Sequence, residues 1–151
     1  MAKLRKKVAE KFSVGIINDN IYEWEVSIFG LDDPYEQGIF KARLTFPATY
    51  PLLPPKFKFI SEMWHPNVYE SGDVCISILN PPGEDAFGYY HDDECWTPVL
   101  DVEKVIMCVI SLLDRPEPNS PANLNAAIEF RNDIALYKKK VRRLARRTIE
   151  D

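Results

Sequence analysis

Over residues 21–29 the chain alternates, with Tyr22, Trp24, Val26 and Ile28 apolar and Glu23, Glu25 and Ser27 polar. A period of two sends successive side chains to opposite faces of an extended segment, so this stretch predicts a half-buried strand. The alternation returns over residues 39–46, where Phe40, Ala42, Leu44 and Phe46 face inward and Lys41, Arg43 and Thr45 outward. Phe57 and Phe59 repeat it over residues 56–60. Three such strands on short connections predict an antiparallel meander. The second connection, FPATYPLLPP, carries Pro47, Pro51, Pro54 and Pro55, which fix φ and remove backbone donors, so it reads as a stiff loop. Leu52 and Leu53 on that loop either pack on the core or form a preformed apolar contact.

Elsewhere the period is helical. Leu4, Val8 and Phe12 recur at i, i+4, i+8 over residues 2–12, with basic residues around the other faces, which predicts a short amphipathic helix. Asp101 can cap a helix whose apolar face is Val102, Val105, Ile106, Val109, Ile110 and Leu113. Cys108 lies among these residues and reads as a small core hydrophobe. Pro116, Pro118 and Pro121 end that helix. Two more helices are predicted over residues 122–131 and 133–148. In the second, a stripe of Tyr137, Val141, Leu144 and Ala145 lies opposite Lys138, Lys139, Arg142, Arg143 and Arg146. Strands followed by helices place the chain in the α+β class.

At 151 residues and 46% hydrophobic, one domain spanning residues 1–151 with a real core is expected. No long apolar run suggests a secretion signal or membrane span. Cys75, Cys95 and Cys108 are odd in number and unpatterned, which argues against a disulfide scaffold and a zinc site and predicts a reducing compartment. Net charge is −4, yet 12 of the 19 basic residues lie before Phe12 or between Lys138 and Arg147. The acids Glu84, Asp85, Asp92, Asp93 and Glu94 gather between them. With no aromatic platform or nucleic-acid module beside the cations, they read as solvated faces or contacts for charged proteins, and nucleic acid is not an expected partner.

The chemistry concentrates in residues 64–96, a stretch too long and irregular to be a simple connection. Cys75 follows the turn ESGD, and a thiol there can act as a nucleophile without a cofactor. Taken alone, a single cysteine is more often structural. Neither histidine, His65 nor His91, has convincing triad spacing. Pro66 holds His65 extended, so His65 reads as a turn-stabilising side chain.

The string HPNVYESGDVCISIL, with Asn67 eight positions before Cys75, resembles the active-site signature of the ubiquitin-conjugating enzymes. Trp24, the loop FPATYPLLPPK, Trp96-Thr97-Pro98 and the apolar helix follow in that family's order. The resemblance implies the family's α+β fold: an N-terminal helix, a four-stranded antiparallel meander, a central helix and C-terminal helices. It implies transfer of ubiquitin from an activating enzyme to Cys75 as a thioester and then to a lysine amine, with no metal and no cofactor. Asn67 would donate its amide to the oxyanion, an effect worth about 10²–10³ in rate, or brace the loop, or do both. His65 and Pro66 would support the site. Ser120 occupies the place of a family residue near the cysteine and cannot act as a carboxylate base.

Most of the family reaches Trp-x-Pro soon after the cysteine, whereas Cys75 and Trp96 are 21 positions apart. The excess is an acidic insertion at about residues 80–95, similar to that of the group containing the endoplasmic-reticulum degradation enzyme and the long-tailed cell-cycle enzyme, and closest to the former through Pro82 to Asp85 and Glu94. Glu84, Asp85 or Glu94 would orient or deprotonate the incoming amine. Asn80 stands where close relatives often have His, and Cys95 is an unusual second thiol. A RING-type ligase would dock on Leu52, Thr97, Pro98 and Val99 beside Lys3, Lys6 and Lys7. The implied partners are ubiquitin, the activating enzyme, the ligase and protein substrates. The chain is expected to be a monomer without membrane insertion, in the cytosol or nucleus or recruited to the endoplasmic-reticulum surface, and to build polyubiquitin chains. Alternatives are conjugation of another ubiquitin-like modifier, a non-catalytic ubiquitin-binding variant and, more weakly, a cysteine hydrolase.

Overall fold

The computed structural model describes residues 11–79, 96, 101–117 and 121–150. Four strands, β1 (Phe12–Ile17), β2 (Asn20–Ile28), β3 (Phe40–Thr45) and β4 (Lys56–Phe59), form one antiparallel sheet in sequence order. The first hairpin turns on Asn18 and Asp19, at φ 50° and 61°. Two left-handed residues give a turn whose twist matches the flanking strands, and Asn and Asp tolerate that conformation better than most side chains.

Phe12 corrects the expected end of the first helix. It lies in β1, paired with Ile28 and buried, Lys11 before it lies in a turn, and residues 2–10 lie outside the described residues. Phe12, Val14 and Ile16 alternate with Ser13 and Gly15 along β1, but at the sheet edge Val14 and Ile16 stay exposed. In β2, Val26 and Ile28 are buried, but Tyr22 is 53% exposed, so the inward face stops short of the strand's start. Phe40, Ala42, Leu44 and Phe46, with Phe57 and Phe59, are buried as the alternation requires.

Three helices complete the described fold: α1 (Val102–Asp114), α2 (Leu124–Asn132) and α3 (Ile134–Arg147). Asp101, Asn123 and Asp133 cap them, each side chain accepting an N–H of the first turn. Val105, Ile106, Val109 and Leu113 of α1 and Tyr137, Val141 and Ala145 of α3 share one core with the inner face of the sheet. Arg142 of α3 binds Asp33 in a two-pronged ion pair at 2.7 and 2.8 Å, and the arginine holds the Asp33 carboxyl below its ordinary range. Inside, the Tyr35 and Tyr137 hydroxyls meet at 3.2 Å, joining the loop after β2 to α3. Burial pushes Tyr137 up to about 12, so this pair stays protonated.

Candidate active site

The site begins at the free edge of β4. The Phe59 N–H donates to the Gly72 carbonyl at 2.9 Å, and Lys58 bridges to Asp73. This covers an edge that would otherwise expose unpaired backbone groups. Gly72 has φ 100°, and a Cβ there would sit 2.1 Å from the Phe59 carbonyl oxygen. Only glycine fits, for conformational and steric reasons together.

Gly72 belongs to a miniature hairpin. Tyr69 N–H donates to Asp73 O at 2.8 Å, Val68 bridges to Val74, and Cys75 N–H donates to Asn67 O at 2.8 Å. The eight-residue spacing of Asn67 and Cys75 is therefore the pairing distance of two short strands around a tight turn. Cys75 is half-buried and free of disulfide bonds, and it leads into a single 3₁₀ turn, Ser77–Leu79.

The other strand of this hairpin starts with His65-Pro66-Asn67, all three buried. His65 Nδ1 accepts the Asn67 N–H at 2.9 Å, so Nε2 carries the proton and donates to the Leu112 carbonyl, also at 2.9 Å. With both nitrogens committed, the ring is neutral. Burial lowers its pKa from 6.5 to about 4, against the raising effect of the Leu112 and Leu113 carbonyls. This geometry leaves no nitrogen for proton abstraction and ties the turn to the end of α1.

Pro66 and Asn67 make the remaining ties. The Pro66 carbonyl accepts from Ala122 N–H at 2.7 Å and Asn123 N–H at 3.0 Å, where α2 begins. The Asn67 side chain donates to Glu117 O at 2.8 Å and accepts from Glu117 N–H at 2.7 Å. A primary amide has one donor and one acceptor side by side, so it closes a two-bond ring with a backbone segment. The tripeptide thus joins the Cys75 strand, the end of α1, the segment after it and the start of α2.

Leu52 lies on the Pro-rich loop and is 68% exposed, with Leu53 beside it at 43%. Trp96 anchors that loop: its fully buried indole donates to Pro51 O at 2.8 Å and packs against Tyr50. Lys3, Lys6, Lys7, Glu84, Asp85, Glu94, Thr97, Pro98, Val99 and Ser120 lie outside the described residues, as do Asn80 and Cys95. Among the described residues no group of His, Cys, Asp and Glu could hold a metal ion, and no helix is long and apolar enough to cross a membrane.

The family model described as ubiquitin-conjugating enzyme matches residues 1–145. The chain belongs to the ubiquitin-conjugating enzyme family. It is 51% identical to the protein named ubiquitin-conjugating enzyme E2 15 of Schizosaccharomyces pombe, over 99% of this chain and 91% of that one. Ubiquitin-conjugating enzyme E2 14 of Arabidopsis thaliana is 50% identical over 97% of this chain and 89% of its own. The probable ubiquitin-conjugating enzyme E2 7 of Caenorhabditis elegans is 49% identical over 100% and 93%.

Within this ubiquitin-conjugating enzyme, sequence reasoning passed over Leu112, Glu117 and Ala122. Each takes part through its main chain, which carries no residue-type signal. Gly72 was visible only as a turn residue, and its collision with Phe59 required the fold.

Proposed function

We propose that Cys75 accepts the C-terminal carboxyl of ubiquitin as a thioester from an activating enzyme and yields it to a lysine amine. As a member of its family the chain is a transferase of the ubiquitin-conjugation pathway, working with ubiquitin, an activating enzyme, a ligase and protein substrates. The observation that carries the assignment is the pairing of Cys75 with Asn67 on a hairpin that glycine locks against β4. A half-buried free thiol at the end of a rigid strand suits an acyl carrier, and the neutral, doubly bonded His65 argues against a cysteine–histidine hydrolase.

In this reading Asn67 braces the site through Glu117 and offers amide character to the oxyanion. His65 and Pro66 hold the turn, and Ser120 takes the place in the chain of the family residue that serves the cysteine. The acids Glu84, Asp85 and Glu94 of the insertion orient or deprotonate the acceptor lysine, which favours polyubiquitin chain building. The exposure of Leu52 on the loop that Trp96 anchors supports docking of a RING-type ligase there, and the family resemblance adds Thr97, Pro98, Val99, Lys3, Lys6 and Lys7 to the residues that would take part. The protein would act as a monomer in the cytosol or nucleus, or at the endoplasmic-reticulum surface.

Activating enzyme, ATP and ubiquitin should produce a reductant-sensitive adduct. No adduct with ubiquitin but one with another modifier would replace the proposed cargo, and ATP-independent hydrolysis would replace the reaction.

A further inference from the structure

Trp64, immediately before the tripeptide, takes part in a closed set of three contacts remote in sequence. Its indole N–H donates to Glu129 Oε1 on α2 at 3.0 Å. The other oxygen, Glu129 Oε2, accepts from Lys140 Nζ on α3 at 2.7 Å. Lys140 Nζ lies 4.8 Å from the centre of the Trp64 ring, within range of a cation–π attraction. The Glu129 side chain is only 12% exposed, whereas Lys140 is 44% exposed, so the carboxylate is sheltered while the ammonium still reaches water.

The clamp is the second of two anchors on α2. The first is the Pro66 carbonyl at Ala122 and Asn123. Asn123 and Glu129 are about 9 Å apart along a helix, so two fixed points set the axial direction of α2 as well as its position. Both points lead back to the same segment, residues 64–67, whose far end, Asn67, pairs with Cys75. Buried Ala126 and the edge-on contact of Phe130 with Tyr137 hold α2 on the core, and the clamp adds the second tie between α2 and the segment before Cys75.

We infer that Glu129 is a positioning residue for the transfer step: through Trp64 it fixes the orientation of the segment that carries Asn67 and pairs with Cys75. Lys140 holds the carboxylate aimed at the indole, and the Trp64 ring seats Lys140. No clamp residue touches the reacting atoms. The effect lies in the alignment of the thioester with an incoming amine, where small displacements are costly.

The inference rests on the assignment of the thioester to Cys75, and the test separates the two. Purified wild type, Glu129→Leu, Glu129→Gln, Trp64→Phe and the double variant Glu129→Leu/Trp64→Phe are loaded with ubiquitin in a single turnover and then chased with free lysine, below the melting temperature of each. Failure of the wild type to form a Cys75-dependent adduct would remove the underlying reading. With that adduct in place, Glu129→Leu and Trp64→Phe should each discharge about 10-fold more slowly, with the apparent KM for lysine and the loading rate held within about twofold. Glu129→Gln, whose amide oxygen can still accept from the indole, should recover most of the rate. The double variant should be no slower than the worse single one, because both remove the same bond. Discharge by Glu129→Leu at the wild-type rate, equal losses in loading and discharge, or multiplying losses in the double variant would overturn the inference.

Discussion

His65 is the residue whose chemistry is most altered by the fold. Its ring sits fully buried between the Asn67 N–H and the Leu112 carbonyl and titrates near 4 instead of 6.5. Between those values the unfolded chain binds a proton that the native chain refuses, so stability is fully present above pH 6.5 and is lost as pH falls toward 4. The arithmetic gives a loss of about 2 kcal/mol between pH 7 and pH 5 from this residue. Urea unfolding at the two pH values, compared with His65→Asn, measures it: the wild type should lose more stability than the variant, and parallel losses would contradict a neutral buried ring. The sequence made the turn-stabilising reading legible through the following proline. It did not make the acceptor legible, because Leu112 serves through a carbonyl that any residue would supply.

At the scale of elements, the sheet and helices follow from the chain's own periodicities wherever a face is buried. The inward residues of β3 and β4 and the stripes of α1 and α3 were readable because burial of one face imposes a period on the sequence. β1 was missed although Phe12, Val14 and Ile16 alternate with Ser13 and Gly15, because Phe12 also continues the helical spacing of Leu4 and Val8 and the alternating run is short. That same glycine gives a control for the one that matters. A Cβ at Gly15 meets nothing within 4 Å, whereas at Gly72 it meets the Phe59 carbonyl at 2.1 Å under a left-handed φ. Gly15→Ala should therefore change stability by no more than about 0.5 kcal/mol. Gly72→Ala should cost at least about 2 kcal/mol and slow thioester loading, since the displaced turn carries Cys75. Thermal melts and a loading assay on both variants check the contrast; equal effects would show that the turn is not locked against β4.

For the whole molecule, the cysteine hairpin, the end of α1, the segment after it and the start of α2 converge on three consecutive residues, His65, Pro66 and Asn67. The turn ESGD was legible in the sequence and the eight-residue spacing entered through the family resemblance, while the pairing that explains that spacing needed the fold. The convergence was not legible, because Leu112, Glu117 and Ala122 lie 45 to 57 positions away and bond through the main chain. The central claim is that this arrangement serves one thiol. Cys75 and Cys108 are both free and half-buried, but Cys108 lies on α1, where burial raises its pKa and disfavours the thiolate. The direct measurement is non-reducing mass analysis after incubation with activating enzyme, ATP and ubiquitin, for wild type, Cys75→Ser and Cys108→Ser. The account predicts one ubiquitin added to wild type and Cys108→Ser and released by reductant, with no reductant-labile adduct on Cys75→Ser. A thioester that survives Cys75→Ser, or that vanishes only with Cys108→Ser, would contradict it.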